Sequence, residues 1–110
     1  YKQRMNDDGS YNIEGLRKFE QAVTGFLYKL RKFNPNAHII WAYGMIGDGM
    51  LPSISRGVKE YEQESGDDKV HILVLPNTTQ ETIGARFHPG EKAHRQAAGL
   101  LADYIRKVLA

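Results

Sequence analysis

Between positions 10 and 33 the apolar residues Ile13, Leu16, Phe19, Val23, Phe26, Leu27 and Leu30 recur every three or four positions, while Glu14, Arg17, Lys18, Gln21 and Lys29 fall largely elsewhere. This spacing gathers the apolar side chains on one face and predicts a long amphipathic helix. Asp8-Gly9-Ser10 and then Asn12 supply turn and cap chemistry at its start, and Asn34-Pro35-Asn36 ends it, because proline cannot continue the ladder. Residues 38–43 are β-branched, aromatic and continuously apolar up to Gly44, which predicts a short buried parallel strand rather than one with a wet face. After the glycine-rich loop 44–49, Leu51, Ile54, Val58 and Tyr61 return to helical spacing. Residues 65–68 close that second helix, and residues 69–75, stopped by Pro76, form a second buried strand.

Residues 77–90 have no apolar period and hold two threonines, two glycines and a proline, so they read as the longest loop and a place for function. From Glu91 onward Ala97, Ala98, Leu101, Tyr104, Ile105 and Val108 define a last helical face. The order helix, strand, helix, strand, helix predicts an α/β fold with a parallel sheet and helices on its faces. Two strands apolar on both faces need cover on both, and they leave two open edges. Further strands are therefore expected upstream, from another chain, or from a second copy by strand addition or element exchange.

Composition narrows the function classes. One domain of 110 residues with 41% hydrophobic and 25% charged residues is neither a disordered tail nor a membrane-spanning chain, since its apolar runs fall far short of the roughly 20 residues a crossing helix needs. Fifteen basic against 13 acidic residues, scattered along the chain, lack the concentrated positive surface that phosphate neutralisation requires, which argues against nucleic acid as a partner. The absence of cysteine excludes disulfides, thiolate metal sites and a cysteine nucleophile.

Four histidines raise the question of metal. His88 and His94 are six apart, on different faces of any helix, and His38 and His71 sit in or beside apolar strands, so no metal site is expected. Gly47-Asp48-Gly49 has the outline of a nucleophile turn without a hydroxyl, and Ser53 and Ser55 have no base nearby in sequence. His88 differs from the other three. It closes the long loop just before the last helix, where open α/β sheets place reactive groups, and a loop histidine there can act as a general base.

The block Phe87-His88-Pro89-Gly90-Glu91-Lys92-Ala93-His94-Arg95-Gln96-Ala97-Ala98 resembles the final block of the SGNH (GDSL-type) hydrolases. It is most similar to the second family of carbohydrate esterases, in which an aromatic-His-Pro run precedes a second histidine and an alanine-rich helix. Residues 34–45 and 68–73 match the order of elements in the second half of those enzymes. The resemblance implies a three-layer α/β/α parallel sheet of SGNH or flavodoxin-like shape, of which residues 1–110 form the carboxyl-terminal portion. It also implies a secreted or periplasmic serine esterase that removes acetyl or similar groups from an acylated carbohydrate or other small ester and needs no cofactor.

Carried over by position, His88 becomes the catalytic acid/base, and Asn6, in Asn6-Asp7, becomes an oxyanion-hole donor. Three departures accompany the match. Arg4-Met5 stands where the family has a small, glycine-containing pair; Arg86 and Ala85 occupy positions where it commonly carries an aspartate; and the Gly-Asp-Ser nucleophile block is nowhere in the sequence. The chain alone is therefore expected to be inactive. The competing expectation is a non-catalytic or truncated α/β module; a flavodoxin-like ligand domain lacks support because neither strand leads through a phosphate cradle into a helix.

Overall fold

The structure, a computed structural model, describes residues 5–110. Among these residues three helices and two strands run in the order α1 (Ile13–Phe33), β1 (Ile39–Gly44), α2 (Leu51–Ser65), β2 (Val70–Leu75) and α3 (Glu91–Leu109), with a single tight turn at Ala85–Phe87 in which Arg86 and Phe87 hold left-handed backbone. Every element expected from the hydrophobic pattern is present, in the expected order. The chain divides into two compact units. One joins the residues up to Ala37 with Met50–Val70, and the other joins His38–Gly49 with His71–Ala110.

The first unit is built on α1 and α2. Asn12 caps α1 as its sequence position suggests, its side-chain oxygen accepting from the Gly15 N–H at 3.1 Å. At the far end the Asn34 N–H donates to the Arg31 carbonyl, and the Asn34 side chain donates to that of Leu30. Val23 and Leu27 of α1 and Ile54, Val58 and Tyr61 of α2 are buried. The stripe is narrower than its period suggests, because Ile13 and Phe26 are more than half exposed.

Gly57 explains how the two helices come so close. A Cβ there would lie 2.7 Å from both the Glu20 carbonyl oxygen and the Val23 Cβ, so only glycine fits. The same approach lets the buried Thr24 hydroxyl donate to the Gly57 carbonyl at 2.7 Å. A polar cluster closes the end of this unit. Arg31 grips Asp67 through two hydrogen bonds, of 2.7 and 3.2 Å, and the Tyr61 hydroxyl donates to the same carboxylate at 2.6 Å.

In the second unit β1 and β2 pair as a two-stranded parallel sheet. The α/β class and the parallel sheet expected from sequence are both found. Full burial of the strands is not: Ala42 and Val74 are exposed, most other strand positions are half-buried, and only Val70 is buried. Along α3, Ala93 alone is buried, while Ala97, Leu101, Tyr104 and Val108 are half-buried and Ala98 and Ile105 are exposed. The physical reason is area, since a sheet two strands wide cannot cover the faces of residues whose pattern suits a wider one.

Candidate active site

The loop after β2 begins as a tie to the loop after β1. The backbone N–H and the hydroxyl of Thr78 both donate to the Met45 carbonyl at 2.7 Å, and the Gly47 N–H donates to the Asn77 side-chain oxygen at 3.0 Å. Thr82, buried, accepts from the Thr79 N–H through its hydroxyl. The Thr78–Met45 and Gly47–Asn77 bonds fasten together the two loops that leave the carboxyl ends of β1 and β2, and the Thr79–Thr82 bond tightens the second. Between them lies an open groove of about 300 Å³, lined by residues that include Met45, Ile46, Asn77, Thr78, Ile83 and Phe87.

His88 sits at the end of a pinched sub-loop. The Gly84 N–H donates to its carbonyl at 2.7 Å, its own N–H donates to the Ala85 carbonyl at 3.1 Å, and the Gly90 N–H donates to the Thr82 carbonyl at 2.9 Å. An antiparallel bridge between Ile83 and Pro89 completes the neck. Glycine is required at Gly84, where a Cβ would fall 2.8 Å from the Gly90 Cα, and Gly90 is closely packed, since a Cβ there would fall 3.1 Å from the Gly84 nitrogen and from the Thr82 carbonyl oxygen. The backbone of His88 is thus fixed while its side chain is exposed. Among the described residues nothing hydrogen-bonds to its imidazole ring. Arg86 and Ala85 supply no carboxylate, and Ala85 acts on the histidine through its carbonyl alone.

Asn6 lies in the other unit, in a turn that leads into α1. Its backbone N–H donates to the Ser10 carbonyl, and its side-chain amide donates to the Ser10 hydroxyl at 2.9 Å and to the Tyr11 carbonyl at 3.3 Å. Ser10 in turn donates from its N–H and its hydroxyl to Asp8, and these bonds hold the Asp8 carboxyl below its ordinary value. Met5 bridges Tyr11 across this turn, and Arg4 lies outside the described residues. In this arrangement the Asn6 amide serves the turn.

The remaining histidines are placed plainly. His38 Nδ1 and His71 Nε2 lie 3.0 Å apart at the start of the two strands, each ring partnering the other, and the His71 ring meets the edge of Tyr104. The hydrophobic pattern placed both in or beside the strands but not against each other; the signal was their matching position at the heads of parallel neighbours. His94 is exposed on α3. Among the described residues no three histidine, aspartate or glutamate side chains come together as a metal site, and no helix is long and apolar enough to cross a membrane.

One solved structure places this geometry in context. It is an acetyl xylan esterase, Est2A, from the rumen bacterium Butyrivibrio proteoclasticus, which superposes with a TM-score of 0.91 at 48% identity over 99% of this chain. The resemblance is to a carbohydrate esterase. It bears out the kinship read from the His88 block. The chain spans 29% of the length of that esterase chain. No family model matches the sequence, and neither does any curated protein.

Proposed function

We propose that the chain is the carboxyl-terminal part of an SGNH (GDSL-type) serine esterase with a three-layer α/β/α sheet, acting on acetyl or similar esters of carbohydrate. The observation that carries this reading is the 48% identity to an acetyl xylan esterase along nearly the whole chain. The position of His88, exposed on a braced loop beyond the carboxyl end of β2, supports giving it the proton-transfer role.

In the proposed reaction a serine hydroxyl from outside this chain attacks the ester carbonyl as His88 takes its proton. The tetrahedral intermediate collapses, the C–O bond to the sugar breaks, and His88 returns the proton to the departing alcohol. Water then repeats the sequence on the acyl-serine and releases the carboxylic acid. Asn6 would donate to the developing oxyanion by turning its amide out of the Ser10 and Tyr11 bonds. With Arg86 and Ala85 where an acid commonly stands, His88 would work as a dyad with the serine or be oriented by a backbone carbonyl. A polymeric substrate lies outside the cell, which fits a secreted or periplasmic enzyme.

The exposed apolar residues Val74, Leu100, Ile105 and Leu109 would be covered by the rest of such a domain or by a second copy of the chain. The ring of His88, unpartnered among the described residues, favours a second reading, a non-catalytic module. One experiment separates the two: the complete protein is incubated with acetylated xylo-oligosaccharide and the acetate released is measured. Catalytic release from the complete protein, with none from residues 1–110 alone, supports the esterase; none from either supports the module.

A further inference from the structure

Among the described residues three other than glycine hold a positive φ, Met45 at 75°, Arg86 at 56° and Phe87 at 60°, and all belong to the two loops that frame the groove. Each such residue costs on the order of 1 kcal/mol or more, and strain of this kind persists only where surrounding bonds impose it. At Arg86 and Phe87 the Gly84–His88 and Thr82–Gly90 hydrogen bonds impose it, and at Met45 the two bonds from Thr78 to its carbonyl hold the backbone in place. The outcome is a Phe87 side chain 86% exposed on the groove wall, immediately before His88, with Ile46 71% exposed on the same wall set. Burying a phenylalanine is favourable by roughly 1.5–3 kcal/mol, so this backbone holds the ring away from the core at a twofold cost.

The lining is amphipathic. Phe87, Ile46 and Ile83 present apolar surface, while the Asn77 side chain, its oxygen occupied by the Gly47 N–H, has no partner for its amide nitrogen among the described residues. An acyl chain would call for apolar walls throughout. A pyranose ring has the matching character, with C–H bonds on its faces and hydroxyls at its rim, and such rings pack on aromatic faces as other flat apolar surfaces do.

We propose that Phe87 is a specificity-determining residue whose ring stacks on the sugar that bears the ester, with Ile46 and Ile83 beside it and Asn77 donating to a sugar hydroxyl. The proposal rests on the esterase reading above and adds what selects the alcohol portion. It is tested in the complete protein with Phe87→Asn, since asparagine tolerates the left-handed backbone, and with Phe87→Trp, which keeps an aromatic face. Two esters are compared, acetylated xylo-oligosaccharide and methyl acetate, whose alcohol is too small to reach the platform.

Phe87→Asn should raise KM for the oligosaccharide about tenfold and leave methyl acetate hydrolysis within about twofold, whereas Phe87→Trp should retain the oligosaccharide KM. Equal losses on both esters, or an unchanged KM for the sugar, would overturn the proposal. Calorimetric titration with unacetylated xylotriose supplies a readout independent of turnover. If the wild-type protein hydrolyses neither ester, the esterase reading falls; the platform then stands if Phe87→Asn weakens xylotriose binding about tenfold, and falls if xylotriose does not bind or binds both proteins equally.

Discussion

Replacing Asp67 with asparagine should remove much of what locks the end of the α1/α2 unit, and the loss should carry a pH signature. In the folded chain burial pushes the Asp67 carboxyl up, but hydrogen bonds from Arg31, Tyr61 and the Lys69 N–H outweigh it and hold the group down from 3.8 to about 2. The same contacts raise Arg31 through its bond to Asp67, whereas Tyr61 is raised first by burial and then by that bond. A depression of nearly two pH units corresponds to on the order of 2 kcal/mol of stability. Because the folded value is the lower one, that stability is fully present above about pH 4 and drains away as pH falls toward 2.

Both partners are well shielded, with side-chain exposures of 18% for Arg31 and 12% for Asp67, so solvent screening does not erase the effect. Asp67→Asn keeps one acceptor but removes the negative charge and one of the two oxygens that Arg31 grips, leaving the guanidinium on neutral partners such as the Asn34, Ala37 and Lys69 carbonyls. The expected cost at pH 7 is about 2 kcal/mol, or roughly 10 °C in Tm for a chain of this size. Urea unfolding of both proteins at pH 7, 4 and 2.5 reads the magnitude and the pH window together. The exposed neighbour Asp68→Asn, a control, should stay within about 0.5 kcal/mol. Parallel stability profiles for wild type and Asp67→Asn below pH 4 would refute the assignment.

Two further substitutions probe the backbone. Gly57→Ala should destabilise by about 2 kcal/mol despite alanine's better helix propensity, because the added methyl meets the Glu20 carbonyl and the Val23 side chain; calorimetry reads this, and a stabilised variant would mean that the helices are not in such close contact. Arg86→Gly should raise stability by roughly 0.5–1 kcal/mol by relieving a left-handed arginine, and a lower Tm would contradict that backbone conformation.

The elements were legible because their periods are clean. Ile54, Val58 and Tyr61 at helical spacing are buried as expected, and Asn12 caps the helix it precedes. What the pattern could not convey was contact between distant positions. Thr24 and Gly57 look unremarkable in sequence, yet together they make the helix crossing, and Asp67 reads as a turn residue although it anchors an ion pair with Arg31. Hydrophobic spacing also overstated the burial of β1, β2 and α3, since it reports the area that a segment is suited to cover and not what is there to cover it. In the candidate site, His88 stood out by its loop position and its flanking residues. The groove beside it did not, because Met45 and Phe87 owe their placement to positive φ angles that neither residue type announces.

The role of His88 is the centre of the account, and one comparison of variants tests it most directly. In the complete protein, kcat for acetyl ester hydrolysis is measured for wild type, His88→Ala and His94→Ala, with Tm recorded for each. His88 is exposed with no hydrogen bond to its ring among the described residues, so His88→Ala should leave Tm nearly unchanged while kcat falls on the order of 10³-fold or more. His94→Ala, exposed on α3, should alter kcat by less than about threefold. Comparable kcat for all three proteins, or a loss in His88→Ala matched by His94→Ala, would contradict the assignment of His88 as the group that moves the proton.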